Sequence, residues 1–467
     1  MFKKQRKYKP IDKKKIKGFN KIRDTKATRL LCHAPFQSML FSQYGQVLGC
    51  FYNKRELIGR YPENSISEII HGEKLARLRD HIRHNDLSYG CEECARNLVL
   101  ENFYSVGAWK YDYLAAKDTG MPTSFDFQIS NVCNLKCVMC SGEYSATVRV
   151  DREAAEPYRN PYDAEFLRQI REYLPHLREM SFTGGETFMI PVYYDIWEMI
   201  YEVNPSIRIS ITTNGTIFNE KVKQILEKLN FNITISVDSV QEDTYQHIRS
   251  NANLAKMLKN LDAFHEYTLR KGTTINVKAC PMRQNIFQIH ELVAFFSRKD
   301  IPLIFNTVLF PPDCSIWNEP ASRLEEYIRF LSEHEPDVNT NAGKDNLARY
   351  QNLIRQITNW KKEAEDAEKT YNFMNISIRQ LLDIIRDNVL KFTTQSDYLN
   401  DADIETKSME YFDKLTAAIF KIQSDEGQKN AAVYFMRLPV DRLIGELEIR
   451  DDEKLYMRAI QASKVSY

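Results

Sequence analysis

The chain has 467 residues, 43% hydrophobic and 27% charged, a composition ordinary for a globular protein with two or three domains. The net charge of +1 points to no class of partner. No run approaches 18 apolar residues and the N-terminus lacks the apolar stretch of a signal peptide, so the expectation is a cytoplasmic protein that keeps its nine cysteines reduced and meets no membrane.

In chain order, residues 1–29 form an arm in which thirteen Lys and Arg residues face only Asp12 and Asp24. It reads as a solvated, disordered tail, or as a grip for an acidic peptide or nucleic acid. The lack of interleaved aromatics and of any nucleic-acid-binding motif favours the tail. Residues 30–119 then carry Cys32-His-Ala-Pro-Phe36, Gly45-Gln-Val-Leu-Gly-Cys50, Ser65-Ile-Ser-Glu-Ile69 and Cys91-Glu-Glu-Cys94. The four thiolates Cys32, Cys50, Cys91 and Cys94 complete a closed site, which suits zinc or a fully ligated iron-sulfur cluster.

Residues 120–318 alternate strand-like and helix-like runs. The strand candidates are 124–130, 179–183, 208–213, 232–238, 274–279 and 302–308; Val222, Ile225, Leu226 and Leu229 show helical spacing, as do Ile289, Leu292, Val293 and Phe296. Six such units predict right-handed crossovers and a parallel sheet, with function at the C-terminal strand ends. The first strand leads into Cys133-Asn-Leu-Lys-Cys137-Val-Met-Cys140. Three thiolates leave one iron of a [4Fe-4S] cube open to a ligand, and an open iron implies chemistry. The second strand ends in Thr183-Gly184-Gly185-Glu186, the third in Thr213-Asn214-Gly215, the fourth in Ser236-Val-Asp238-Ser239, and Tyr245-x-x-Ile-Arg249 follows.

This series resembles the radical S-adenosylmethionine (SAM) superfamily. The resemblance implies a partial (β/α)6 TIM-like barrel in which Cys133, Cys137 and Cys140 hold a [4Fe-4S] cluster that cleaves SAM to a 5′-deoxyadenosyl radical. It further implies that Gly184, Gly185, Glu186, Thr213, Asn214, Ser236 and Arg249 hold SAM, with Glu186 on the methionyl amine and Arg249 on the carboxylate. Residues 30–119 look like the auxiliary-cluster module called SPASM or twitch, set before the barrel where the family usually has it after. Its four cysteines would hold a second [4Fe-4S] cluster, zinc being the alternative occupant. The activity so implied is hydrogen-atom abstraction for oxidative modification of a peptide or protein, with flavodoxin or ferredoxin as electron donor. Two other readings stay open: oxidation or rearrangement of a small molecule such as a carbohydrate, and a non-enzymatic metal-binding scaffold.

Cys280 and Cys314 close the fifth strand and follow the sixth. Cys280 reads as a buried side chain, Cys314 as a loop thiol near the barrel mouth. Residues 319–467 form a charged helical region of unassigned role, with stripes at Leu347–Ile357 and Ile378–Ile385 and a polar loop over 397–403. The fold class is therefore α/β: a partial barrel with a small N-terminal four-cysteine module and a helical C-terminal domain.

Overall fold

A computed structural model describes residues 8–465 apart from 54–55, 100, 116–119, 372, 374, 396–403 and 450–451. The expected polar loop over 397–403 lies outside the described residues. The strands are β1 (Ser38–Ser42), β2 (Gln46–Leu48), β3 (Gly59–Arg60), β4 (Ser124–Gln128), β5 (Lys136–Cys137), β6 (Glu179–Phe182), β7 (Arg208–Thr213), β8 (Phe231–Ser236), β9 (Arg249–Ser250), β10 (Ile275–Ala279) and β11 (Leu303–Phe305). Nine of them form one sheet in the order β11-β10-β8-β7-β6-β4-β1-β2-β3, and β5 pairs with β9.

From β4 to β11 the six strands are parallel and joined through helices, as the alternating pattern predicts. In β8 the burial alternates: Phe231, Ile233 and Ile235 pack outward against the helices, while Asn232, Thr234 and Ser236 take the other face. The same alternation in β10 buries Ile275, Val277 and Ala279 outside. The shell is apolar and the lumen polar.

The module is not a separate lobe. Strand β1 pairs in parallel with β4 over five residues, from Ser38 opposite Ser124 to Ser42 opposite Gln128, and so adds a seventh parallel strand to the six expected. The hairpin β2–β3 extends that edge antiparallel. Phe41 stacks on Phe127 at 5.3 Å, and Phe127 on Phe182 at 5.2 Å, a ladder across β1, β4 and β6. Each pair contributes about 0.5–1.5 kcal/mol beyond its buried area. Behind it, Ser65 and Glu68 form a capping box that starts the helix Ile66–His71.

The arm also departs from expectation. From Tyr8 onward it is folded onto the module: Asp12 caps the helix Lys13–Phe19, Phe19 is fully buried, and the Arg23 guanidinium lies 2.6 Å from Asp112. Residues 1–7 lie outside the described residues.

The C-terminal region is helical over Ala321–Glu333, Asn341–Tyr371, Ile378–Gln395, Ile404–Phe420, Asp425–Arg437, Val440–Ile449 and Asp452–Ser463. It protects the edge of β11. Buried Asn346 accepts from the Leu303 N–H at 2.7 Å, and Arg349 donates to the Leu303 carbonyl at 2.8 Å. It also clasps the rest of the chain: Tyr434 donates to the Leu309 carbonyl at 2.9 Å, and Arg442 pairs with Glu93 of the module at 2.5 Å. No helix among the described residues is long and apolar enough to cross a membrane.

At the junction of module and barrel, buried Asp126 of β4 accepts from Ser38 of β1 at 3.2 Å and from Ser181 of β6. Burial lifts its pKa to about 6. Between the unfolded value of about 3.9 and that value the folded state holds a proton the unfolded chain has lost, so this group's contribution to stability falls as pH rises through the window. Asp126→Asn removes the charge with little change of shape, and the expected outcome is a gain of about 1–3 kcal/mol at neutral pH that vanishes near pH ~4. Urea denaturation of both proteins at the two pH values measures it; a loss of stability at neutral pH would overturn the assignment.

Candidate functional site

The three-cysteine loop is built at the C-terminal end of β4 and tied down on every side. Cys137 lies in β5, directly opposite Arg249 in β9. Thr147 donates to the Cys133 carbonyl at 2.6 Å, Ser145 to the Leu135 carbonyl at 2.8 Å, and Asn131 to the Gly142 carbonyl at 2.8 Å. Arg152 reaches the carbonyls of Cys137 and Cys140. The sequence singles out none of these supports. Ser145 and Thr147 do flank the start of the short helix Ala146–Asp151, where Ser145 is the cap, but a cap alone does not mark a site.

The two glycines of the next loop have a definite reason. The N–H of Gly185 donates to the Ser130 carbonyl at 2.9 Å and that of Glu186 to the Val132 carbonyl at 2.6 Å, so this loop lies backbone to backbone on the cysteine loop. A Cβ on Gly184, which has φ +114°, would stand 2.6 Å from the Ser130 carbonyl oxygen, and one on Gly185 2.0 Å from that of Val132.

Glu186 is fully buried, and burial pushes its carboxyl pKa upward. It accepts from the Thr213 hydroxyl at 2.6 Å, the Asn214 N–H at 2.7 Å and the Phe188 N–H at 3.2 Å. Asn214 in turn donates to Asn134 at 3.0 Å, and Asn134 donates to Thr216 at 3.0 Å. Glu186, Thr213 and Asn214 thus come together as a strut joining the ends of β6 and β7 to the cysteine loop. Ser236, the last residue of β8, faces the lumen.

Arg249 lies in β9, with 7% exposure, its Nη2 2.7 Å from Asp238 and its Nη1 3.9 Å from Cys137 Sγ. Its charge is committed to Asp238 and to a cysteine sulfur. Asp238 also accepts from the Cys280 N–H at 2.7 Å. The two late cysteines exchange their expected settings: Cys314 is 1% exposed among Ile248, Met282 and Val308, whereas Cys280 is only partly buried, within reach of the charges of Asp238, Arg249 and Cys137.

All three thiols of the loop are held above the ordinary thiol pKa by burial, Cys133 at about 11, and the charges of Cys137 and Cys133 each oppose ionisation of Cys140. Thiols that ligate metal lose their protons when it binds. In the module, Cys32, Cys50, Cys91 and Cys94 line one cavity and are likewise raised by burial, and the charge of Cys50 opposes ionisation of the other three. Among the described residues no three His, Cys, Asp or Glu side chains converge on one metal-ion position.

A second, larger cavity of about 970 Å³ opens at the barrel mouth. Its walls come from three parts of the chain: Leu40, Ser42 and Tyr52 of the module; Gln128 and Asn306 at the ends of β4 and β11; and Lys407, Tyr411, Lys414 and Leu447 of the helical region. Tyr52 lines this cavity and the four-cysteine cavity alike.

Residues 127–278 match the radical SAM superfamily family model, and residues 32–95 match that of the SPASM iron-sulfur cluster-binding domain. Together these domains imply SAM and [4Fe-4S] clusters as cofactors. Among curated proteins the chain is 26% identical over 152 residues to a GTP 3′,8-cyclase of Clostridium perfringens, covering 32% of this chain and 42% of the cyclase. It is 23% identical over 175 residues to the antilisterial bacteriocin subtilosin biosynthesis protein AlbA of Bacillus subtilis, covering 37% and 36%. The chain thus spans about two fifths of the length of these relatives. A solved structure of Streptococcus suis SuiB bound to S-adenosylmethionine aligns with 19% identity over 56% of this chain and 63% of that one, at a TM-score of 0.34.

Since a methyl group at position 185 has no room against the Val132 carbonyl, Gly185→Ala is expected to cost about 1–3 kcal/mol, the usual penalty of overpacking. The loss should fall on the triplet. Reconstituted Gly185→Ala protein should bind less iron at Cys133, Cys137 and Cys140 while the module keeps its own. A variant with full iron content and unchanged melting temperature would refute the backbone-contact account.

Proposed function

We propose that this chain, a member of the radical SAM superfamily with an N-terminal SPASM domain, oxidatively modifies a peptide or protein substrate at the barrel mouth. The observation that carries the reading is the cavity of about 970 Å³ at the barrel mouth, with walls from module, barrel and helical region. The bacteriocin-biosynthesis name of the AlbA relative supports the same substrate class.

When bound, SAM and the open-iron cluster supply hydrogen-atom abstraction, and the second cluster an acceptor for the electron left on the substrate. Cys133, Cys137 and Cys140 hold the first group and Cys32, Cys50, Cys91 and Cys94 the second. Ser236 and the loop over Gly184–Glu186 bound the SAM position, while Glu186, Thr213 and Asn214 hold those loops in register. Arg249 acts through Cys137, keeping positive charge beside its sulfur, and leaves the SAM carboxylate to other groups. The helical region covers the open side of the lumen and excludes water from a reactive radical. Tyr52, a wall of both cavities, keeps substrate and second cluster close without contact.

A small-molecule substrate is the second reading, favoured by the cyclase relatives. Anaerobic reconstitution followed by SAM and dithionite tests the chemistry. About eight irons per chain and formation of 5′-deoxyadenosine are expected. Cys137→Ala should abolish 5′-deoxyadenosine, whereas Cys91→Ala should fall to about four irons and retain it. No 5′-deoxyadenosine from a protein with reducible clusters would sink the reading, and equal loss in both variants, each still folded, would sink the division of duties. Coupled 5′-deoxyadenosine formation with GTP but with no peptide would move the substrate to the small-molecule class.

A further inference from the structure

One buried amide in the module touches two of its four thiols. Asn53 is 1% exposed and lines the four-cysteine cavity. Its backbone N–H donates to Cys50 Sγ at 3.3 Å. Its side chain crosses to the turn that carries Cys91: Nδ2 donates to the Tyr89 carbonyl at 3.3 Å and to Cys91 Sγ at 3.6 Å, while Oδ1 accepts from the Glu56 N–H at 3.1 Å. These partners fix which way the amide faces. A carbonyl can only accept and a backbone N–H can only donate, so the oxygen belongs to Glu56 and the NH₂ group to Tyr89 and the sulfur.

The segment that presents Cys91 is shaped to this amide. Gly90, immediately before Cys91, has φ +74°, and a Cβ there would stand 2.4 Å from Asn53 Oδ1. Cys50 and Cys91 are distant in sequence, and Asn53 ties their two turns together across the cavity wall. The other two thiols have main-chain donors: against the burial that raises both, the N–H of Ala34 acts on Cys32, and those of Ala108 and Gly107 act on Cys94. At Cys91 the donor is a side chain, which can be exchanged while the backbone stays as it is.

We propose that Asn53 is a positioning residue for the second cluster: it holds Cys91 in register with Cys50, and its two N–H donors make a cluster on those sulfurs easier to reduce. That role rests on the proposed function, which seats a [4Fe-4S] cluster in the four-cysteine cavity as acceptor for the electron left on the substrate. An N–H aimed at a ligand sulfur favours the more negative, reduced form and so raises the reduction potential. Asn53 itself gives up no atom, proton or electron. It works through Cys50 and Cys91, and its effect is to favour electron transfer away from the substrate.

The test uses full-length protein carrying Cys133→Ala, Cys137→Ala and Cys140→Ala, so that iron in the module is read alone. About four irons per chain are expected after anaerobic reconstitution. Asn53→Asp keeps the shape and the acceptor for Glu56, removes the donor to Cys91 and adds a negative charge. Asn53→Leu removes the donor without adding charge, and both variants leave the backbone donor to Cys50 in place. Redox titration followed by electron paramagnetic resonance should place the midpoint potential lower in Asn53→Leu than in the parent, and lower still in Asn53→Asp. Retention of iron against a chelator should fall about 10–100-fold in both. Potentials that do not move in either variant at full iron content overturn the proposal. If a variant takes up no iron, the melting temperature of the iron-free chain decides: unchanged, it supports a role toward the cluster; lowered, it makes Asn53 a structural residue of the fold and overturns the proposal. A folded parent that holds no iron would count against the second cluster of the proposed function, whereas full iron with unmoved potentials would count against the role of Asn53 alone.

Discussion

The parallel pairing of Ser38–Ser42 with Ser124–Gln128 is the contact on which the rest of the molecule depends. It places the four-cysteine module and the barrel in one sheet, so the distance between their cavities is fixed by strand spacing and not by a linker. The stacked Phe41, Phe127 and Phe182 lock that junction from outside, and Asp126 with Ser38 and Ser181 locks it from within. A module that precedes the barrel in sequence thereby reaches the mouth from the β4 edge, and Tyr52 becomes a wall common to both cavities.

The second constraint is local. A loop that offers three thiols to a cluster has little regular structure of its own, and its backbone groups must find partners elsewhere. Here they find them in the glycine loop after β6 and in the two-residue pairing of β5 with β9, while the side chain of Asn214 after β7 holds the side chain of Asn134 in the loop. Each successive strand end contributes one brace. Residues that the family resemblance assigns to SAM therefore have structural work as well: Gly184 and Gly185 allow the approach, and Glu186, Thr213 and Asn214 fix it.

Much of this is legible in the sequence because β6, β7, β8 and β10 are short runs in which buried and less buried residues alternate. The pattern over Arg208–Thr213 matches the observed strand residue for residue, and the helix stripes at 222–229 and 289–296 lie where helices form. What escapes is non-local. Ser38–Ser42 is a five-residue run that pattern alone cannot assign, and its partner strand comes from far along the chain. In the basic arm the count of charges conceals Phe19 and Ala27, both fully buried, and Arg23, whose partner Asp112 comes from the far end of the module. The setting of Arg249 escapes because nothing local announces a two-residue strand. Cys314 looks exposed because it sits in a Pro-rich loop, yet Ile248, Met282 and Val308 come together over it from three different parts of the chain.

The helical region closes the open side of the barrel. A partial barrel whose first strands belong to a module and whose last is β11 has a lumen that is polar and unclosed. Asn346 and Arg349 satisfy the β11 edge, and the helices beyond them furnish one wall of the large cavity. The clasp between Arg442 and Glu93 then completes the circuit. Glu93 lies between Cys91 and Cys94, at the start of the helix Glu92–Val99, so the ion pair that seats the helical region also bears on the turn that presents two of the four module thiols. Both side chains keep some exposure, 29% and 19%, so the pair is worth far less than a buried one. Its effect lies in position: the wall of the large cavity and the thiols of the four-cysteine cavity share one mechanical connection.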